Sequence, residues 1–180
     1  GFCLVGSEMC IRDRSSTEHD DDWRFHFEIL TDHSRPELGT SWERIEPEVQ
    51  PYQVIQPTLL SDPDGTIQAL FRSKNEKVIH SLSKDNGKTW SELKPSELPN
   101  NNSGIEALTL KDRRHLLLYN HLGGTREDGW GKRNVLNLAI SEDGKKWQAV
   151  AFIENQKDGE FSYPSMIQTR DGRVHLTYTW

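Results

Sequence analysis

SKDNGKTW, running from Ser83 to Trp90, is a turn and its anchor in one short stretch. The Asp85 carboxylate can accept backbone N–H bonds across the turn, Gly87 permits a left-handed backbone, and the Trp90 ring can bury between strands. A relative one residue shorter, SEDGKKW, occupies Ser141 to Trp147, and a blurred copy, TDHSRPELGTSW, occupies Thr31 to Trp42. They recur at roughly fifty-residue spacing, the upper end of the range that marks repeat architectures.

A second family of segments is interleaved with the first. IQPTLLSDPDGTIQALFR, IEALTLKDRRHLLLYN and YPSMIQTRDGRVHLTYTW each hold an apolar run, a charged turn and an alternating run. They read as hairpins, with Asp64-Gly65 and Asp171-Gly172 supplying the positive φ of tight turns. In the middle copy the turn is Asp112-Arg113, so glycine is not obligatory there. Helical periodicity is hard to find, whereas VIHSLS, RFHFEIL and NVLNLAIS have the length and β-rich character of strands. One period therefore contains an inner hairpin, a third strand, the Ser/Asp/Gly/Trp turn and a fourth strand, which is a propeller blade. The expectation is an all-β chain: the outer half of one blade (Trp23 to about Val49), two whole blades (about Tyr52 to Pro99 and Asn102 to Asn155), and the inner hairpin of a fourth.

The opening GFCLVGSEMCIRDR, residues 1–14, stands apart. Read backwards into codons it resembles a sequencing-library adaptor with its transposon end, and it lacks the sustained apolar core of a signal peptide. Setting it aside as adaptor-derived leaves residues 15–180 as the propeller portion. Both cysteines, Cys3 and Cys10, lie in that stretch, so disulfide, thiolate-metal and cysteine-nucleophile chemistry go with it. The net charge is −6, and both signs are spread along the chain without a basic run. That disfavours a nucleic-acid partner. No apolar run approaches the roughly twenty residues of a membrane span. The acidic SSTEHDDDW stretch tempts a metal reading through Glu18, His19, Asp20, Asp21 and Asp22, but there is no EF-hand spacing and no HExxH. A solvated acidic loop is the better reading, with Glu18 and His19 at a second-strand end that borders any pocket. Dinucleotide, P-loop and GxSxG signatures are absent, so no cofactor is expected.

SxDxGxTW at blade spacing is the Asp-box, and Ser83, Asp85, Gly87, Thr89 and Trp90 match it at every defined position. With SSTEHDDDWRFHFE, NSGIEALTLKD and SYPSMIQTRDGRVHLTYTW, the chain from Ser15 to Trp180 resembles part of a sialidase-type propeller of the BNR-repeat class. The resemblance implies six blades, of which this chain is a fragment, and a pocket on the central axis. It also implies three arginines that hold a sugar carboxylate, a tyrosine nucleophile activated by a glutamate, and an aspartate acid/base. A planar carboxylate suits guanidinium forks, and a phenol can attack an anomeric centre that already bears a negative group. Tyrosine nucleophiles are an exception among glycosidases.

Position by position, the resemblance assigns Arg72, which closes the second strand of its blade in ALFRSK, as the second arginine, and Arg133, which precedes the strand running into SEDGKKW, as the third. Tyr163, in FSYPSMIQ, falls where the nucleophile sits. Gln56 occupies the position of the activating glutamate, and an amide cannot take the phenol proton. Glu106, at the equivalent inner-strand start of the next blade, and Glu160, beside Tyr163, are possible substitutes. Asn120 and His121 end the second strand of their blade and are candidates for binding hydroxyls. The first arginine and the acid/base aspartate would lie upstream of Ser15.

The implied activity is retaining, exo-acting release of a terminal acidic sugar from a glycan, without a metal. Two alternatives stay open: a propeller hydrolase or lyase acting on another uronate- or rhamnose-containing glycan, and a non-catalytic carbohydrate- or protein-binding propeller. A periplasmic or extracellular setting is implied by resemblance alone.

Overall fold

The computed structural model describes residues 10–19, 22–32, 34, 35, 41–47, 50–124 and 130–180, with side chains from Trp23 onward. Four antiparallel sheets follow one another along the chain. The first holds β1 (Cys10–His19), β2 (Asp22–Leu30) and β3 (Trp42–Ile45), and the second β4 (Val54–Ser61), β5 (Ile67–Ser73), β6 (Lys77–Ser83) and β7 (Lys94–Pro99). The third holds β8 (Glu106–Thr109), β9 (His115–Tyr119), β10 (Val135–Ser141) and β11 (Gln148–Asn155), and the fourth β12 (Ser162–Gln168) and β13 (Val174–Thr179). Strands follow chain order within each sheet, and the first strands touch across blades, β4 against β8 and β8 against β12. This is the all-β, blade-by-blade architecture of a propeller. Among the described residues no helix is long and apolar enough to cross a membrane. The ladder of β1 with β2 starts at the Cys10–Leu30 pair, upstream of Ser15 and inside the stretch that the sequence reading sets aside.

Side-chain alternation explains why the central strands are apolar without interruption. Successive residues of a strand point to opposite faces, and in a propeller both faces of a blade are covered by neighbours. Phe71 of β5 packs with Phe25 and Phe27 of the first sheet, while Leu70 packs on the other side with Ala107, Leu117 and Tyr119 of the third. In β9, Leu117 and Tyr119 face the second blade, whereas Leu116 and Leu118 join Phe161 and Met166 of the fourth. Burying each of these side chains contributes about 1.5–3 kcal/mol, so blade-to-blade packing dominates the stability.

The turn that opened the sequence reading forms as its residue types require. Asp85 accepts from the Thr89 N–H at 2.9 Å, the Thr89 hydroxyl at 2.6 Å and the Ser83 hydroxyl at 2.9 Å. Trp90 donates from its indole nitrogen to the Gly87 carbonyl at 2.9 Å and stacks on Phe27 of the preceding blade, ring centroids 4.0 Å apart. In the shorter copy Asp143 accepts from the Lys145 and Lys146 N–H groups, and Trp147 donates to Gly144. In the blurred copy Thr31 follows β2 and Trp42 opens β3, but residues 33 and 36–40 between them lie outside the described residues.

The hydroxyl and N–H bonds from Thr89 pull the Asp85 carboxyl down from its ordinary 3.8 to about 2. A carboxyl depressed in the folded state stabilises the fold above its unfolded pKa, and that contribution is lost as pH falls through the folded one. Asp85→Asn is therefore expected to lower the melting temperature at pH 7. The gap from the parent should narrow as pH falls from about 4 toward 2, read by thermal melts across that range. A gap that stays constant with pH would mean that the ionised carboxylate contributes nothing particular to the turn.

The hairpin turns carry their positive φ at Gly65 (85°), Arg113 (73°) and Gly172 (89°). Arg113 adopts the left-handed conformation without glycine because the turn closes by the same hydrogen bonds, Arg113 N–H to the Leu110 carbonyl and Leu110 N–H to the Arg114 carbonyl.

Candidate functional site

The hairpin turns provide a common ruler for the blades. Asp62, Leu110 and Thr169 each donate their N–H to the carbonyl of the residue that closes the turn, so they occupy equivalent places. Counted from these anchors, the equivalent positions at the start of the inner strands are Gln56, Gly104 and Tyr163. At the far end of the following strand they are Arg72, Asn120 and Thr179.

Gln56 and Tyr163 share an unusual backbone. Their φ angles are 50° and 49°, each precedes a proline, and the ladder slips between Ile55 and Thr58 and again between Ser162 and Ser165. A bulge of this kind re-aims a side chain out of the alternating pattern. Left-handed backbone at a non-glycine residue costs about 1–3 kcal/mol and persists only where the surroundings enforce it. Between them the equivalent residue is Gly104. A Cβ there would meet Tyr163 Cδ1 at 3.5 Å and Gln56 Oε1 at 3.7 Å, so the three positions converge. They open on a cavity of about 150 Å³ lined by Gln56, Gly104, Glu106 and Tyr163. Tyr163 is half exposed and faces this opening.

Arg72 is fully buried at the end of β5. Its Nε donates to Asn102 Oδ1 at 2.9 Å and its Nη1 to Gln56 Oε1 at 3.0 Å. Its guanidinium lies 5.2 Å from the Trp23 ring centroid and 5.3 Å from that of Trp130. Arg133 pairs through Nη1 with Glu160 Oε1 at 3.0 Å and donates from Nη2 to the Asn102 carbonyl at 3.3 Å. It lies 5.1 Å from the Trp130 ring and 5.6 Å from the Tyr163 ring. Two guanidinium groups, two indole rings and a phenol are thus brought together from three blades and a connecting loop. Aromatic faces attract cations and leave the N–H edges of a guanidinium to receive oxygen atoms.

The other candidates fall into two groups. The expectation that Glu106 holds the register of Gln56 is corrected: Gly104 is there, and Glu106 begins β8 further along while still lining the cavity. Glu160 is exposed and engaged by Arg133 and by the Ser162 hydroxyl, at 3.4 Å. Asn120 is fully buried, and its amide donates to the Val135 carbonyl at 2.7 Å and the Phe161 carbonyl at 2.8 Å. That stitches the third blade to the fourth, so its N–H groups serve the scaffold. His121 is exposed outside the cavity, its Nδ1 hydrogen-bonded to the Tyr119 hydroxyl. Burial pushes the Tyr119 phenol up to about 12. Glu18 and His19 end β1, and their side chains lie outside the described residues.

The sequence reading passes over Trp23, Asn102, Gly104 and Trp130. Asn102 sits in a polar run that reads as a turn, Trp23 sits at the edge of a strand with nothing to say what its ring meets, and Trp130 lies in a segment with no turn or strand signature of its own. The available signal is the spacing from the turn anchors, which assigns Gly104 but not the other three.

Comparison with known proteins places the fold. The NanB sialidase of Streptococcus pneumoniae superposes with a TM-score of 0.71 at 13% identity, over 99% of this chain and 26% of that one. The leech intramolecular trans-sialidase, complexed with 2,7-anhydro-Neu5Ac, gives 0.68 at 16% identity, over 94% of this chain and 26% of that one. A Dyadobacter fermentans protein of unknown function gives 0.67 at 20% identity, over 94% of this chain and 45% of that one. The chain therefore has the fold of these proteins over a quarter to under half of their length. No curated protein sequence matches it. The profile of the BNR repeat-like domain matches residues 6–176, nearly the whole chain, and the chain belongs to that family.

Proposed function

We propose that this chain is part of a sialidase-type glycoside hydrolase that releases a terminal acidic sugar from a glycan by an exo-acting, retaining mechanism. Arg72 and Arg133 grip the sugar carboxylate, and Tyr163 is the nucleophile. The observation that carries this reading is convergence: Tyr163 opens on the cavity that Gln56 and Glu106 line, with Arg133 5.6 Å from its ring and Arg72 held to Gln56. A carboxylate gripped by two guanidinium forks sets the anomeric carbon beside it near the phenol oxygen. A phenol that loses its proton as it attacks meets less repulsion from that carboxylate than a permanently charged carboxylate nucleophile would. Glu106, which lines the same cavity, takes that proton, because Gln56 cannot and the Gln56 carbonyl is already bonded to Arg72. The relatives by fold include sialidases and a trans-sialidase, which favours an acidic nonulosonic sugar.

Gln56 favours a second reading, in which the same clamp holds another acidic sugar, such as a uronate, or binds it without cleavage. The discriminating experiment expresses the longest gene product that contains this chain. It assays release of the fluorophore from 4-methylumbelliferyl N-acetylneuraminide and from the corresponding glucuronide, with calorimetric titration of both free acids. Sialoside turnover is expected. Turnover of the glucuronide alone would move the assignment to uronate glycans, and binding of an acid without turnover of either substrate would make the protein a carbohydrate-binding propeller.

A further inference from the structure

We propose that Asn102 is the positioning residue of the acid-sugar clamp, the group that fixes Arg72 and Arg133 relative to each other. The inference rests on the reading of those two arginines as carboxylate ligands. Asn102 touches both: its side-chain oxygen accepts from Arg72 Nε at 2.9 Å and its main-chain carbonyl accepts from Arg133 Nη2 at 3.3 Å. One residue thus spans two guanidinium groups that come from different blades. Its own place is enforced. The Asn102 N–H donates to Asn100 Oδ1 at 3.1 Å, and the same oxygen accepts the N–H of Ser73, the residue after Arg72, at 3.2 Å. Asn100 in turn donates to the Ser103 carbonyl at 3.1 Å. Asn100, Asn102 and Ser103 are all within 1% of full burial, so the polar run is a docked wedge and not a solvated turn.

The geometry gives Asn102 two separable roles. Arg72 is held by the side chain and Arg133 by the backbone, which adopts φ 62°. Glycine populates that region freely, so Asn102→Gly keeps the carbonyl on Arg133 while removing the acceptor from Arg72. A guanidinium that loses its Nε acceptor can rotate about its last bonds, and a planar two-point grip on a carboxylate depends on that orientation.

The test is a double-mutant cycle in the full-length product, read as the dissociation constant for free N-acetylneuraminate with a thermal melt of every variant. Asn102→Gly should weaken binding on the order of tenfold, as expected for one charge-assisted contact. In an Arg72→Ala background the same change should cost less than about twofold, whereas in an Arg133→Ala background it should keep its full effect. Equal costs in all three backgrounds, or wild-type affinity for Asn102→Gly, would overturn the assignment. Should Asn102→Gly fail to fold, Asn102→Asp serves instead: it places a carboxylate against Arg72 that competes with the sugar acid for the guanidinium. Its affinity should fall in the parent and not in the Arg72→Ala background, and an equal fall in both, or none in either, would overturn the proposal. Wild-type binding by both Arg72→Ala and Arg133→Ala, or no binding by the parent protein, would remove the carboxylate-clamp reading and with it this inference. Loss of binding in those two variants with none in Asn102→Gly would remove the inference alone.

Discussion

Tyr163→Phe is expected to lower kcat for a fluorogenic sialoside by at least about a thousandfold, as deleting a covalent nucleophile does, with KM changed by less than about threefold. The substitution removes one oxygen and little else. The ring stays beside Arg133, whose guanidinium lies 5.6 Å from its centroid, and φ 49° is imposed by the bulge and the following proline, neither of which senses the hydroxyl. Tyr163 is half exposed, so no buried hydrogen bond is lost and the melting temperature should hold within a degree or two. The comparison needs steady-state kinetics and a melt on the same preparation. Retained turnover would exclude the phenol as nucleophile and leave Tyr163 as an aromatic wall of the pocket. Companion variants separate the bases. Glu106→Gln should slow the step that Tyr163 performs, whereas Gln56→Glu should leave it unimpaired or speed it, because it places an ionisable group against the same cavity.

Arg72→Ala carries the second large effect, and it falls on both stability and binding. Truncation removes two hydrogen bonds and two aromatic contacts from a side chain only 2% exposed, and it strips their donor from Gln56 Oε1 and Asn102 Oδ1. Leaving the buried Asn102 acceptor and the partly buried Gln56 acceptor without that donor, and opening a side-chain-sized void, should destabilise the fold by about 2–4 kcal/mol. Affinity for N-acetylneuraminate should fall on the order of a hundredfold with the loss of a two-point charged contact. Arg72→Lys should recover part of the stability but little of the affinity, since an ammonium cannot reproduce the fork or the stacked plane. Arg133 provides the internal contrast. The Arg133 side chain is itself only 9% exposed, but its carboxylate partner Glu160 is 64% exposed, so water screens the pair and limits what it contributes to the fold. Arg133→Ala should therefore cost affinity with much less loss of stability. Calorimetric titration and thermal melts on the pair decide the point: equal stability losses would mean that the exposure of the partner groups does not distinguish the two clamps.

The contrast between Arg72 and Arg133 also shows where reading a sequence stops. Both are legible as arginines at strand ends, and resemblance gives them the same job. Only the surroundings divide them: Arg72 lies under two tryptophans and against a buried asparagine, while Arg133 reaches an exposed carboxylate. Asn120 shows the same limit. It ends its strand where Arg72 ends another, but the Val135 and Phe161 carbonyls claim its amide, and no pattern along the chain says which partners stand opposite.

What the sequence determined by itself is the blade. Alternation with period two, the turn chemistry of SKDNGKTW and its shorter copy, and the hairpin turns at Gly65 and Gly172 are all local. Local hydrogen bonds and burial satisfy them within a few residues, so their spacing is enough to count the sheets. What only the tertiary structure decided is the meeting of Gln56, Gly104 and Tyr163, the bridge that Asn102 makes between two arginines, and the placing of Trp23 and Trp130. Those contacts join different blades through bulged, left-handed residues and a buried polar loop. Side-chain alternation does not encode them, because a bulge breaks the period, and packing between sheets, not spacing within one, sets which ends converge.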